Sequence, residues 1–102
     1  MKTEKFFEEF KILFDSCVVL AAKKNGDYAT GDDAFRNFRA SVSIGVSPER
    51  AILVRLSDKI ARISNLLDKE AEVKDEKIED TLKDSINYLA ILYLYLKYGK
   101  TK

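Results

Sequence analysis

The chain has no histidine and no tryptophan, and its 102 residues include one cysteine, one proline and four glycines. The missing histidine excludes histidine–metal sites and every catalytic dyad that needs an imidazole base. Cys17 has no second cysteine to pair with, which is typical of proteins from a reducing compartment. So few proline and glycine residues favour long helices over many short strands. The sequence therefore predicts an all-α protein whose chemistry rests on carboxylates, lysine, tyrosine or a carboxylate-bound metal.

An excess of charge of either sign is also absent, since 18 lysines and arginines stand against 17 acidic residues. A net charge of +1 gives no bulk attraction to nucleic acid or to an anionic membrane. The first residues are charged and lead into no long apolar run, so neither a signal peptide nor a membrane span is expected. We therefore expect one cytoplasmic domain over residues 1–102, with residues 99–102 as a frayed tail.

Hydrophobic residues recur at helical spacing in four segments. These segments predict helices over residues 3–24, 33–43, 48–69 and 75–98. Asn25-Gly26 indicates a turn after the first helix, and Ser47-Pro48 is typical of a capped helix start. Because the link between the last two helices is short, we expect those helices to form an antiparallel pair.

Each of the last two helices carries an apolar stripe that we expect to face the core. The stripe of the third helix comprises Leu53, Leu56, Ile60, Ile63 and Leu67, and that of the fourth comprises Ile78, Leu82, Ile86, Leu89, Tyr93 and Leu96. The other side of the fourth helix is polar at first and then becomes apolar at Ile91, Tyr95 and Tyr98. A helix that is apolar nearly all round seldom faces water, so we predict that a homo-oligomer, most simply a symmetric dimer, completes the bundle.

Acidic residues on the last two helices form a first candidate site. Asp80 and Asp84 lie one turn apart on a single face, where like charges repel unless a cation lies between them. Asp58 on the third helix could join them. Oxygen ligands without nitrogen ligands suit Mg²⁺. The alternative is a solvated helix start, since acidic residues are favoured at the positive end of the helix dipole.

Basic residues surround Asp58 at three- and four-residue spacing, namely Arg55, Lys59 and Arg62. Guanidinium groups suit bidentate contacts with phosphate. The alternative is a set of ion pairs along one helix, each worth only about a few tenths of a kcal/mol.

The region around the first turn carries amides, aromatic rings and cations together, which suits a nucleotide. Its candidate residues are Lys24, Asn25, Tyr28 and Asn37. The alternative is a turn with core-anchoring aromatic residues, and we favour a core position for Phe35 and Phe38. Cys17 lies on an apolar helix face, which favours a buried structural thiol over a nucleophile.

Four stretches carry a family resemblance: KNGDY at 24–28, DAFRNF at 33–38, LVRLSDKI at 53–60 and VKDEKIEDTLKDSINY at 73–88. Together they resemble the nucleotide-modification-associated domain found in many bacteriophages, over about residues 23–96. That resemblance implies a protein that binds or acts on nucleotides. More distantly, the last two helices are similar to MazG-like all-α nucleoside triphosphate pyrophosphohydrolases, which hold Mg²⁺ on acidic clusters of two helices and work as dimers or tetramers.

The MazG-like resemblance also implies roles for individual residues. Asp80 and Asp84, followed by Tyr88, are similar to the second acidic motif of those enzymes, and their first motif falls on Asp58. It implies Asp58, Asp80 and Asp84 as magnesium ligands, with Asp58 and Asp84 as the catalytic residues. The chain departs from the pattern at Lys59 and Arg62, which stand where acidic residues are expected.

Two hypotheses about function follow. In the first, the protein is a magnesium-dependent nucleotide pyrophosphohydrolase. In the second, it binds or sequesters a nucleotide, for example a host defence signal, without catalysis. The residues expected to contact the nucleotide are Lys24, Asn25, Tyr28, Asn37, Arg55, Lys59, Arg62, Asn87 and Tyr88. A third hypothesis is a purely structural interaction domain that binds no nucleotide.

Overall fold

The computed structural model describes residues 1–28, 33–68 and 76–100, without the side chains of residues 25–28, 76 and 77. Every regular element in these ranges is helical. The helices are α1 (Thr3–Tyr28), α2 (Arg36–Arg39), α3 (Pro48–Leu67) and α4 (Glu76–Leu94). A 3-10 segment, Ala40–Ile44, continues α2, and a π-helical turn, Tyr95–Gly99, continues α4. Residues 76–100 together are called the α4 segment. The predicted all-α class is confirmed.

Helix α1 is longer than the sequence pattern indicated. The predicted turn at Asn25-Gly26 is wrong, because the helix continues to Tyr28. A glycine inside a helix costs only about 1 kcal/mol relative to alanine, which is not enough on its own to end the helix. The predicted second helix is instead a single α-turn followed by the 3-10 segment, which ends at Gly45 in a left-handed conformation with φ of 84°.

The start of α3 agrees with its sequence signature. The Ser47 hydroxyl accepts a hydrogen bond from the backbone N–H of Arg50, at 3.3 Å, and Pro48 occupies the first helical position. The serine satisfies one of the backbone donors that a helix start leaves free, and proline has no such donor to satisfy.

Helices α3 and α4 form the antiparallel pair that the short link predicted. The first turn of α3 meets the end of the α4 segment through an ion pair of 3.1 Å between Glu49 and Lys100. Further along α3, Lys59 lies 3.1 Å from Asp84 near the middle of α4. Because later residues of α3 meet earlier residues of α4, the two helices run in opposite directions.

The core of the described residues is a small cluster formed by Phe38, Ile52 and Tyr95. Partly buried side chains pack around it, namely Phe35, Tyr88, Ile91 and Leu92. The expected core position of Phe38 is confirmed, and Ile52 is fully buried although it lies outside the predicted α3 stripe.

Helix α4 turns a different face to the core from the one that its apolar stripe predicted. The buried residues of α4 and of the π-helical turn that continues it are Thr81, Ser85, Tyr95 and Gly99. The predicted core residues Leu82, Leu89, Tyr93 and Leu96 are exposed, and so are Leu53, Ile60 and Leu67 of α3. The buried face of α4 carries several small residues, which allow close packing of the helices. Since both faces of α4 are partly apolar, periodicity alone did not identify the buried one.

Arg39 connects α2 to the end of the α4 segment. Its guanidinium group donates hydrogen bonds to the carboxylate of Asp33 and, at 3.4 Å, to the carbonyl oxygen of Gly99. The same group lies over the rings of Phe35 and Tyr95, at 5.9 and 5.6 Å from their centroids. A cation is favoured beside the carbonyl groups that end a helix.

Only the second half of α1 packs against the rest of the molecule. Cys17 is 2% exposed, in agreement with its expected structural position, whereas residues 1–12 are all exposed. The molecule is correspondingly elongated, with extents of 44 × 30 × 23 Å. Among the described helices, none has both the length and the apolar character that crossing a membrane requires.

Candidate functional site

A cavity of about 390 Å³ lies where α1, α4 and the segment around α2 meet. Its apolar wall is formed by Val18, Ala21, Ala22, Ala34, Phe35, Phe38, Ile91 and Leu94. Its polar residues are Lys24, Asn37, Arg55, Asp84, Asn87 and Tyr88. All six polar residues are among those that the sequence pointed to. The cavity has the size and the mostly apolar lining of small-molecule sites.

Two contacts hold α1 against α4 beside this cavity. The side-chain amide nitrogen of Asn87 donates a hydrogen bond of 3.1 Å to the backbone carbonyl oxygen of Cys17. Two turns further along α1, the ammonium group of Lys24 lies 2.7 Å from the Asp84 carboxylate. Since Asn87 uses one amide proton for this contact, its amide oxygen and second proton are left for other partners.

Asp84 is the acidic residue at the cavity that forms ion pairs with two lysines. One carboxylate oxygen accepts from Lys24 at 2.7 Å, and the other lies 3.1 Å from the ammonium nitrogen of Lys59. The Asp84 side chain is 12% exposed, whereas that of Lys24 is 54% exposed. Burial alone would raise the pKa of Asp84, but the hydrogen bonds and positive charges of the two lysines outweigh it and hold that pKa below its ordinary value.

The third cation, Arg55, lies against an aromatic ring. Its guanidinium carbon is 4.8 Å from the centroid of the Phe38 ring, and Phe38 in turn meets the Tyr88 ring edge to face at 6.4 Å. A cation over a ring face is attracted by the negative face of the ring. Arg55 and Tyr88 thus both contact the ring of Phe38, which is itself part of the core.

Three predicted site residues lie away from the cavity. Asp58, Arg62 and Asp80 are exposed, and none of them lines it. Lys59 reaches the site through its contact with Asp84. In the described parts of the chain, no three acidic, cysteine or histidine side chains are grouped so that they could hold a metal ion. The magnesium site at Asp58, Asp80 and Asp84 therefore stays a prediction.

Two further candidates, Asn25 and Tyr28, belong to the stretch of α1 whose side chains lie outside the described residues. Sequence reasoning also missed the apolar wall that α1 contributes. The sequence signal for this wall was the pair Ala21-Ala22, because small side chains leave space beside a helix that larger ones would fill.

Comparison with known proteins adds no relative. No protein-family model, no curated protein and no solved structure matches the chain. The phage-family and MazG-like resemblances therefore stay predictions.

Proposed function

We propose that this protein binds a nucleotide, or a closely related phosphorylated small molecule, in the cavity between α1 and α4, and acts by binding it rather than by hydrolysing it. The observation that carries the proposal is the apolar cavity of about 390 Å³ with three cations beside it. An apolar and aromatic wall suits a nucleobase, and the amides of Asn37 and Asn87 suit the polar edge of the base.

The charges beside the cavity favour a phosphate group. Lys24, Lys59 and Arg55 contribute three positive charges against the single negative charge of Asp84. Ammonium and guanidinium groups both form short, charge-assisted hydrogen bonds with phosphate oxygens. Asp84 pairs with both lysines but balances only one of their two positive charges, so a phosphate would be attracted to the site and would compete with this carboxylate for the lysines.

Binding without hydrolysis is favoured by the state of the acidic residues. A magnesium-dependent pyrophosphohydrolase needs several carboxylates directed at one metal site. Among the residues that the structure describes, Asp84 is the only acidic one that lines the cavity, and both of its oxygens contact lysines. The experiment below also tests the pyrophosphohydrolase hypothesis.

The substitution Asp84→Asn distinguishes a binding protein from a hydrolase, because the two hypotheses predict opposite effects on function. Nucleoside and nucleotide pairs, such as adenosine with AMP and ATP, are titrated into the full chain by isothermal titration calorimetry. For a binding protein, Asp84→Asn should strengthen the binding of AMP or ATP several-fold, because the two lysines lose their competing anion. The affinity for adenosine should change little. For a magnesium-dependent hydrolase, the same substitution would abolish pyrophosphate release in the presence of Mg²⁺.

The exposed Asp68→Asn variant removes the same charge away from the cavity, at a position with no predicted role in the site, and is the matched control. Lys59→Met should weaken the binding of AMP or ATP at least about tenfold, since a charge-assisted hydrogen bond contributes roughly 1.5–3 kcal/mol. Circular dichroism of each variant confirms that the chain remains folded. Failure of the native chain to bind any nucleotide at millimolar concentration would overturn the proposal, and so would release of pyrophosphate that depends on Asp84.

A further inference from the structure

The described surface of α1 is unusual in its aromatic content. We define the aromatic arm as residues 3–15, which include Phe6, Phe7, Phe10 and Phe14. All four phenylalanines are exposed. Their rings contact one another in series, with centroids 5.1 Å apart for Phe6 and Phe7, 5.6 Å for Phe6 and Phe10, and 5.0 Å for Phe10 and Phe14. Contiguous apolar surface of this kind marks interaction sites in water-soluble proteins.

The second feature is an apolar stripe on the later turns of α4. The α4 stripe consists of Leu89, Tyr93 and Leu96, which share one helix face and are all exposed. At about 1.5 Å of rise per residue, the α4 stripe is roughly 10 Å long and the phenylalanine ridge of the aromatic arm roughly 12 Å long. The two surfaces therefore have matching lengths.

The total accessible surface is larger than a lone folded chain of this mass would have. The chain has a mass of 11.6 kDa, for which folded monomers expose about 5,800 Å². Its accessible surface is 7837 Å², an excess of roughly 2,000 Å². Stable obligate dimers bury about 1,000–2,500 Å² on each partner, so the excess is of the size that one dimer interface would remove.

The charges of the two surfaces are opposite. The aromatic arm carries four acidic residues and two lysines. Residues 86–100 carry Lys97 and Lys100 and no acidic residue. Lys100 is paired with Glu49 within the chain, so Lys97, whose ammonium group lies 5.9 Å from the centroid of the Tyr93 ring, is the cation beside the α4 stripe. Pairing one arm with another arm would bring two acidic surfaces together, whereas pairing an arm with the end of α4 brings opposite charges together.

We infer that the protein forms a two-fold symmetric dimer in which the aromatic arm of each chain packs on the α4 stripe of the other. This surface differs from the one that the sequence favoured, because Tyr95 is used inside the chain. The inference is independent of the cavity and of the proposed function. A two-fold axis produces two identical arm-to-stripe contacts in each dimer.

Sedimentation velocity of the full chain between 1 and 100 µM tests this inference. The native chain should sediment as a dimer. The arm variant (Phe7→Glu with Phe10→Glu) and the stripe variant (Tyr93→Glu with Leu96→Glu) should each dissociate at least about 30-fold more readily, as expected when central contacts of an interface are lost. All four positions are exposed within one chain, so the fold itself should persist, as far-UV circular dichroism would verify.

An equimolar mixture of the two variants is the decisive sample. Each heterodimer retains one intact contact, between the native arm of one chain and the native stripe of the other, so the mixture should associate more tightly than either variant alone. The matched control is Val42→Glu with Ile44→Glu, which places two charges at exposed apolar positions of the 3-10 segment and should leave the dimer intact. A monomeric native chain at 100 µM would overturn the inference. A stripe variant that dimerises like the native chain would also overturn it, because it indicates pairing between arms or another surface.

Discussion

At the scale of single residues, Asp84 connects three helices. It lies on α4 and contacts Lys24 of α1 and Lys59 of α3. An ion pair at a fully exposed position contributes little to stability, whereas removal of one partner from a buried pair is costly. The ion pair between Asp84 and Lys24 should have an intermediate effect on stability, because the Asp84 side chain is mostly buried while the Lys24 side chain is half exposed. The same contacts that order the cavity therefore also hold α1 in place.

The low pKa of Asp84 predicts a pH-dependent contribution to stability. Since the pKa is lowered by folding, the stabilisation is complete above the pKa of the unfolded chain and is lost as the pH falls through the folded value. We expect Asp84→Asn to be less stable than the native chain at pH 7, with a difference that shrinks as the pH is lowered towards 3. Urea denaturation at a series of pH values measures it.

The control for this series is Asp58→Asn, which removes an exposed carboxylate from α3. Its difference from the native chain should remain within about 0.5 kcal/mol over the whole range, as is usual for surface substitutions. If the Asp84→Asn difference stayed constant with pH, the lysine contacts would not be the source of the stabilisation.

At the scale of elements, the end of the α4 segment depends on the absence of a side chain at Gly99. A Cβ atom at this position would overlap Cδ1 of Tyr95 and would lie 2.8 Å from Cε1 of the same ring and 3.2 Å from Cδ2 of Phe35. The Tyr95 ring is buried and packs edge to face on Phe35, with their centroids 5.4 Å apart, so it has little freedom to move. Glycine thus permits the close approach of α4 and the α2 region.

Gly99→Ala is therefore expected to destabilise the fold by about 1–3 kcal/mol, the usual cost of overpacking a core. For a domain of this size the melting temperature should fall by roughly 4–8 °C for each kcal/mol. Thermal denaturation followed by circular dichroism measures the change. Ala90→Ser adds one atom at an exposed position of α4 and should change the melting temperature little. An unchanged melting temperature for Gly99→Ala would mean that Tyr95 moves aside freely.

The sequence was sufficient to predict the helical class, the antiparallel pair and the capped start of α3, because these depend on local signals and short connections. It also pointed to residues at the cavity, since Asp84 and Asn87 lie on the polar side of the fourth helix and Lys24 belongs to the group of amides, rings and cations around the predicted turn. It could not identify the buried face of α4. That choice depends on how closely the small residues Thr81 and Ser85 let another helix approach, which is a property of the pair and not of either helix.

At the scale of the whole molecule, the elongated shape and large accessible surface suggest that one chain is an incomplete unit. A compact chain of 102 residues has a radius of gyration of about 13 Å, whereas this one has 15.6 Å. Helix α1 accounts for much of the difference, because its 26 residues extend for roughly 39 Å. A dimer formed through the aromatic arm would give this projecting half-helix a partner.

Self-association should make the thermal stability depend on protein concentration. Dimer formation stabilises only the folded chain, so each tenfold increase in concentration should raise the melting temperature by roughly 3–5 °C. Differential scanning calorimetry at 5, 50 and 500 µM measures this. The arm variant, Phe7→Glu with Phe10→Glu, should melt at a temperature independent of concentration. A native chain that behaved in the same way would argue against the dimer.

Because Cys17 is buried, the reactivity of its thiol measures how often α1 separates from α4. This thiol is the only one in the sequence and is enclosed where α1 meets α4. A thiol reagent in solution reaches it only while α1 is lifted from α4. The labelling rate of the native protein, with no engineered probe, therefore counts how often the first helix detaches, and a cavity ligand that joins α1 to α4 would slow that rate.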